Sequence, residues 1–367
     1  MRTLSQVKIN NYVAAQLPKL KTVNTADLDS MFENFSPETI VEHSKLSAED
    51  VIDSFRLSLI TESLTEQYSE TYKIGSDLYG ATWLKEYVLG FWEPDELGHA
   101  DPFKNILIDF GVNQKDIEIE IGNAKSSIDY QTKHSSGFHP IALTTYGMIQ
   151  ECITDYWYEL QRGFFPPKSN TSKVISKVKG REALHTVQFR DLTALQLEMD
   201  PTLIEHVLQA AVSFEMPSNH IPAVKHIEAK TREWIPHMNG SVAELLRRII
   251  NNINITLDDN DNFGKLILQY ASKSEKQFVN FVPNRIITTA INNIRGGSSI
   301  VGEIVLEQLG LTAYEQQAPK SFTEEVQYKI KTIIKRWVMK RMNIEGFISP
   351  RTVQQNTQDN NCLLHHK

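Results

Sequence analysis

The chain has 367 residues, 41% of them hydrophobic and 23% charged, which is enough apolar mass for one large core or two smaller ones. Its formal net charge of −7 excludes a general nucleic-acid binder, because such proteins need surplus Lys and Arg to displace counterions from phosphates. Cys152 and Cys362 are too isolated for a disulfide framework or a thiolate zinc site, and no window approaches the roughly 20 apolar residues of a membrane span. A cytoplasmic setting is expected, with an organelle address left open.

Apolar residues recur mostly at three- and four-residue intervals and long alternating runs are almost absent, so the expected fold class is all-α. Residues 37–44 predict a short helix, and 48–73 a longer one with Phe55, Leu59, Leu64, Tyr68 and Tyr72 along one side and Glu62 near its middle. The segment 80–110 is aromatic and amphipathic, carries Trp83, Tyr87, Phe91, Trp92, Phe103, Leu107 and Phe110, and ends at Gly111. Pro94 and Pro102 fall inside it. An interior proline removes a backbone hydrogen bond and costs about 3 kcal/mol, so a kink or bulge is expected beside Glu96 and His99.

Residues 113–139 are polar and read as a loop. A third long helix is expected over 140–163, with Glu151 among Tyr146, Met148, Ile149, Ile153 and Tyr156, and a fourth over about 171–199 with Glu182 and His185. Asp200 and Pro201 suit the N-cap and first turn of the next helix. Beyond Met216-Pro217 the chain stays helical, and Ser321 to Glu324 form a capping box for a last helix. The organisation expected is one helical domain over 1–349, with core helices over about 48–200 and additional helices over about 201–343, followed by a polar, disordered tail over 350–367.

Residues i and i+3 lie about 60° apart around a helix, so Glu96 and His99 can reach one metal ion, as can Glu182 and His185. The pairs alone say little: with 28 Glu and 11 His, chance supplies about one such pair. The rest of the set says more. A carboxylate-bridged dinuclear site in a four-helix bundle takes one Glu from each of two helices and a Glu-x-x-His from each of the other two. Glu62 and Glu151 are the lone carboxylates, although Glu66 and Glu70 compete with Glu62, and Glu159 with the more central Glu151. Four buried carboxylates without metal would cost several kcal/mol per charge, whereas two divalent cations balance four anions. His43, His134, His139, His206, His220, His226 and His237 read as loop or surface residues, and Phe91, Trp92, Trp157 and Tyr158 as packing.

Over about residues 50–220 the motifs resemble those of the soluble acyl-[acyl-carrier-protein] desaturases, ferritin-like di-iron enzymes. They are Ile60-Thr61-Glu62, then Trp92 with Glu96 and His99, then Gln150-Glu151 with Thr154, then Glu182 with His185, and lastly Glu198-Met199-Asp200-Pro201 and Met216-Pro217. The resemblance selects Glu62 over its neighbours. It implies a ferritin-like four-helix bundle with additional C-terminal helices, and two iron ions held by Glu62, Glu96, His99, Glu151, Glu182 and His185. The activity it implies is O₂-dependent insertion of a cis double bond into a fatty acyl chain tethered to acyl carrier protein.

It further implies ferredoxin or a similar electron donor and a homodimer. Thr154 becomes a candidate for handling protons, or else an ordinary helix threonine bonded to the preceding turn. Trp92 and Arg181 are expected next to the metal ligands. Arg181 stands where the family usually has an acid, and Pro94 where it has no proline. The run Lys329, Lys331, Lys335, Arg336, Lys340 and Arg341 is the densest positive surface for an acidic carrier protein, with a solvated helix face as its plain alternative. A related di-iron oxygenase and a non-catalytic ferritin-like protein are the competing expectations.

Overall fold

A computed structural model describes residues 4–41, 44–128, 136–200, 203–258 and 328. The chain divides into two compact units. The first comprises Met1–Asp259 with Gln317–Ile330 and holds every element below; the second, residues 260–316 and 331–367, lies outside the described residues. Among the described residues all regular structure is helical, and no helix is long and apolar enough to cross a membrane.

The N-terminal segment forms α1 (Leu4–Gln16), a 3-10 turn, α2 (Thr25–Asp29) and α3 (Pro37–Val41). Helix α4 (Ala48–Glu62) starts on Ser47, whose hydroxyl accepts the Asp50 N–H. The single helix expected over 48–73 is broken at Ser63-Leu64 and resumes as α5 (Thr65–Tyr79). The Ser63 N–H still bonds Leu59 O at 3.0 Å, but the Leu64 N–H turns to Thr61 O at 3.3 Å, three residues back, and Thr65 Oγ1 donates to Glu62 O at 2.9 Å, so the four-residue ladder stops there. The apolar side survives the break: Phe55, Leu59, Leu64, Tyr68 and Tyr72 are all buried.

Helix α6 (Thr82–Tyr87) widens into a π turn over Val88–Trp92, continues as α7 (Glu93–Glu96), and after a turn resumes as α8 (Ala100–Asp109). The expected bulge is therefore present. Within it the Glu93 N–H bonds Val88 O, five residues back, and Pro94, which has no N–H, sits where the wide turn ends. Residues 113–139, expected to be a loop, instead hold α9 (Gln114–Ser127). Its polar faces conceal the period, since only Ile117 and Ala124, two turns apart, are buried.

The two long helices expected near the middle of the chain are α10 (Pro140–Arg162) and α11 (Asn170–Met199). Glu33 accepts the N–H groups of Asn170 and Thr171 at 3.0 and 2.9 Å, fastening the N-terminal segment to the start of α11. Asp200 is the C-cap of α11, the Leu203 N–H bonds Asp200 O at 3.1 Å, and α12 (Ile204–Val212) begins after Leu203; the helix start expected at Pro201 lies outside the described residues. Helices α13 (Lys225–His237) and α14 (Val242–Asp258) are the last described elements; the capping box at Ser321 and the tail lie outside the described residues.

Helices α10 and α11 run antiparallel, as Thr144 meets Thr193 and Gln196 while Asp155 meets Lys179. Gly147 makes this approach possible, because a Cβ there would lie 2.9 Å from the Phe189 ring and the Tyr72 hydroxyl. Phe55 packs on Phe110 across α4 and α8, Ser58 accepts from Trp157 across α4 and α10, and Asp95 bonds Arg181 and His185 across α7 and α11. These contacts close a ring of helices around one interior.

His139 caps α10: its Nδ1 accepts the Ile141 N–H at 3.4 Å, and its ring stacks on His206 with centroids 4.2 Å apart. Burial, then the neighbouring His206, push its pKa down to about 4. A protonated ring has no Nδ1 lone pair and puts positive charge on a helix N-terminus. Because the unfolded side chain titrates near 6.5, unfolding takes up a proton between pH 6.5 and 4, and stability falls as pH drops through that window. Thermal melts are expected to follow this slope, and His139→Ser, which caps without titrating, to remove most of it.

Candidate metal centre

Glu62 ends α4, Glu96 ends α7, Glu151 lies mid-way along α10, and Glu182 lies on α11. His99 and His185 follow one helical turn after Glu96 and Glu182. All six are buried, Glu62 being the most exposed at 8%. Their ligand atoms form two sets, each mutually within 4.8 Å: Glu62, Glu96, His99 and Glu182, and Glu96, Glu151, Glu182 and His185. Glu96 and Glu182 belong to both. The cluster therefore has two poles, each with its own Glu and His, joined by two shared carboxylates.

No Lys or Arg among the described residues pairs with any of these carboxylates, so their burial needs another source of positive charge. His99 Nδ1 lies 3.0 Å from Glu96 Oε2 and 2.8 Å from Glu182 Oε1, and His185 Nδ1 lies 2.6 Å from Glu96 Oε1. None of these approaches has hydrogen-bond geometry: both Nδ1 atoms, Glu96 Oε1 and Glu182 Oε1 have no hydrogen-bond partner. Buried lone pairs that converge without bonding one another fit metal ligation.

Protonation tells the same story. Burial first, then neighbouring carboxylates, push Glu62 and Glu151 well up. Burial opposes ionisation of Glu96, but the two imidazoles outweigh it and hold Glu96 below the usual range. Burial likewise opposes charging His99 and His185, but the facing carboxylates raise both. Without a cation, protons would neutralise this cluster.

Trp92 and Tyr158 are buried, as packing residues should be, and both also reach the cluster: Trp92 Nε1 donates to Glu151 Oε1 at 3.0 Å, in keeping with its expected place next to the ligands, and the Tyr158 hydroxyl donates to Glu62. Thr154 Oγ1 contacts Glu182 Oε2 at 2.9 Å as well as main-chain oxygens of its own helix at 3.1 and 3.3 Å, so both expected roles are geometrically open to it. Each carboxylate except Glu96 thus takes one hydrogen bond from a neutral side chain.

Sequence reasoning missed Asp95. Its Oδ2 lies 2.8 Å from His185 Nε2, and placing the proton on that nitrogen leaves the Nδ1 lone pair facing the cluster. Arg181 clamps Asp95 through Nε and Nη2, both at 2.7 Å, and the Lys21 N–H adds a third bond. Burial raises the Asp95 pKa, but His185 and Arg181 outweigh it and keep it low. Arg181 thus acts on the centre through Asp95. Removing it strands a buried charge, so Arg181→Ala is expected to cost about 3 kcal/mol in a denaturant titration.

The two poles are not equivalent. Asp95 precedes Glu96 and serves His185 on the other helix; the corresponding position before Glu182 is Arg181, and His99 Nε2 has no hydrogen-bond partner. On the carboxylate side, a cavity of ≈ 30 Å³ is lined by all four glutamates, Thr154 and Gln150, but by neither histidine. That is space for about two water-sized molecules. A second cavity, of ≈ 50 Å³, shares Thr61, Thr154 and Met216 with the first.

The basic run from Lys329 to Arg341 lies outside the described residues. No family model, curated protein or solved structure matches the chain.

Proposed function

We propose that this chain is an O₂-dependent dinuclear iron enzyme that oxidises unactivated C–H bonds, and specifically a desaturase acting on a fatty acyl chain tethered to acyl carrier protein. The observation that carries this reading is the sharing of Glu96 and Glu182 between two buried Glu/His poles. Ligands that are all carboxylate or imidazole, without thiolate, suit iron or manganese. The ring formed by α4, α7/α8, α10 and α11, each contributing to the cluster, supports a ferritin-like bundle.

A saturated methylene has no acidic proton, so an acid or base alone cannot remove its hydrogen. A reduced iron pair supplies the electrons that convert O₂ into an oxidant for such bonds. The protein's residues do the rest. Glu62 with His99 and Glu151 with His185 would each hold one ion, and Glu96 and Glu182, common to both sets, would contribute to each. Asp95 fixes the His185 tautomer, and Thr154 holds a proton at Glu182 Oε2 on the cavity side.

The two adjoining cavities offer a path for a chain. Thr61 donates to Leu57 O and Ser58 to Gln161 Oε1, so these hydroxyls are spent on protein groups, leaving mainly apolar surface beside Leu57, Ile153 and Trp157. An acidic carrier protein, a ferredoxin-like donor, a homodimer and a cytoplasmic location complete the reading.

The test is mass spectrometry of the product formed by iron-loaded protein with acyl carrier protein, reductant and O₂. Loss of two hydrogens from the acyl chain is the expected result. Gain of one oxygen would instead assign the same centre to a hydroxylase, and an unchanged chain alongside stored iron would assign it to a non-catalytic ferritin-like protein.

A further inference from the structure

We propose that the connection between α1 and α2, centred on Lys19, Leu20 and Lys21, is where an acidic one-electron carrier protein docks to deliver electrons to the His185 pole of the metal centre. The inference rests on the proposed iron reading and its ferredoxin-like donor. Two hydrogen bonds separate the cluster from this exposed stretch of chain. His185 Nε2 lies 2.8 Å from Asp95 Oδ2, and Asp95 Oδ1 accepts the Lys21 N–H at 2.9 Å. Arg181 makes a second link, since its Nη2 donates both to Asp95 Oδ1 at 2.7 Å and to Lys19 O at 3.0 Å, and its guanidinium lies over the Phe91 ring that meets His185 edge-on. The other histidine has no such exit, because His99 Nε2 has no hydrogen-bond partner. Electronic coupling falls off with distance and is carried best by bonds and hydrogen bonds, so His185 is the favoured entry.

The connection is also anchored. Gln16 Oε1 accepts from Lys19 Nζ at 2.8 Å and from the buried Gln188 Nε2 at 3.2 Å, and a Cβ on Gly90 would lie 3.0 Å from Leu17, so the π turn packs against the segment. Lys19 and Lys21 are exposed, and no carboxylate among the described residues pairs with either ammonium; Asp27, further along, is taken by Lys177. Leu20, between the two lysines, is 36% exposed, and Leu89, beside Gly90, 39%. Positive side chains around a few exposed apolar ones suit a small, brief contact with an acidic partner, in which charge speeds the encounter. The acyl carrier protein is acidic too, but it must present its chain to the cavities, and none of residues 17–24, Asp95 or Arg181 lines either of them. At each encounter the donor loses one electron and the proposed iron pair gains one, so two encounters restore the reduced pair and no bond of the protein is made or broken.

The experiment uses the full chain with a plant-type [2Fe–2S] ferredoxin as the probe. Carbodiimide coupling, which joins a carboxylate to a lysine in contact with it, is expected to link the ferredoxin to Lys19 and Lys21, read by peptide mass spectrometry. In stopped flow, the second-order rate at which reduced ferredoxin reduces the oxidised, iron-loaded protein is expected to fall about 10-fold or more in Lys19→Glu/Lys21→Glu and to lose most of its salt dependence. Reduction by the small, uncharged 5-deazariboflavin radical is expected to stay unchanged. Lys19→Gln/Lys21→Gln gives the same contrast, smaller, if the reversed variant does not fold. Links confined to other lysines, such as Lys329 or Lys335, or an unchanged ferredoxin rate in the variants, overturn the proposal. An equal loss of acyl carrier protein binding also overturns it, by making the patch that protein's site. Coupling needs no metal, so a chain that couples at Lys19 and Lys21 yet holds no iron fails the metal reading and keeps the docking one.

Discussion

Anaerobic titration of the metal-free protein with Fe(II) or Co(II) is expected to load two ions per chain in two resolved steps, the Glu151/His185 pole filling first. The two poles have the same ligand types but different support. Asp95 holds His185 in the tautomer that presents Nδ1, whereas His99 Nε2 has no partner to orient its ring. Such outer contacts typically change metal affinity 10- to 100-fold, so the steps are expected to differ by about that factor.

The variants then separate shared from private ligands. Glu62→Ala and Glu151→Ala each remove a ligand from one set and are expected to retain about one ion per chain. Glu96→Ala and Glu182→Ala break both sets and are expected to retain almost none, by elemental analysis. Equal losses in all four variants would contradict the shared arrangement. Less than about one ion per chain in the wild type would sink the metal reading altogether.

Metal loading is also expected to release protons, and affinity to rise with pH. In the metal-free cluster the acid forms of Glu62, Glu151, His99 and His185 are all favoured, and each must lose its proton to ligate. Up to these four protons leave per pair of ions, and each raises apparent affinity about tenfold per pH unit within its titration range. Calorimetry in buffers of different ionisation enthalpy counts them directly.

The sign for the metal-free protein is opposite. Groups with raised folded pKa values bind more protons when folded, so their contribution is present at lower pH. It is lost as pH rises, above about 4.5 for the two glutamates and above about 6.5 for the histidines, through their raised folded values. Glu96, held low, works the other way, adding stability above its unfolded pKa that is lost on acidification. Metal at a hundredfold excess over its Kd adds about 2.7 kcal/mol to the folded state. The gap in melting temperature between loaded and metal-free protein is therefore expected to widen from pH 6 to pH 8, and a constant or shrinking gap would contradict this protonation pattern.

The amino-acid sequence by itself determined the helical class, the two long central helices and the two Glu-x-x-His pairs of the cluster, and left Glu62 and Glu151 as the preferred choices among neighbouring acids. Helical periodicity is local, and the i, i+3 spacing of Glu96 with His99 and Glu182 with His185 follows from one turn of backbone. Local pattern could rank Glu62 above Glu66 and Glu70 only weakly. Folding separates them, because Glu66 faces Lys125 and Glu70 pairs with Lys73 at half-exposed positions, while Glu62 turns inward. Glu159 is likewise taken by Arg248 and Lys179.

Elements whose signal is weak or interrupted were not legible. The break after Glu62 leaves the apolar stripe intact, and α9 buries only two residues along its length. What only the tertiary structure decided is which helix each side chain meets. Glu96 and Glu182 are shared because α7 and α11 face each other across the interior, Asp95 serves the histidine of the opposite helix, and Tyr158 reaches Glu62 from α10. Those pairings join residues dozens of positions apart, and helix packing fixes them; spacing along the chain does not encode them.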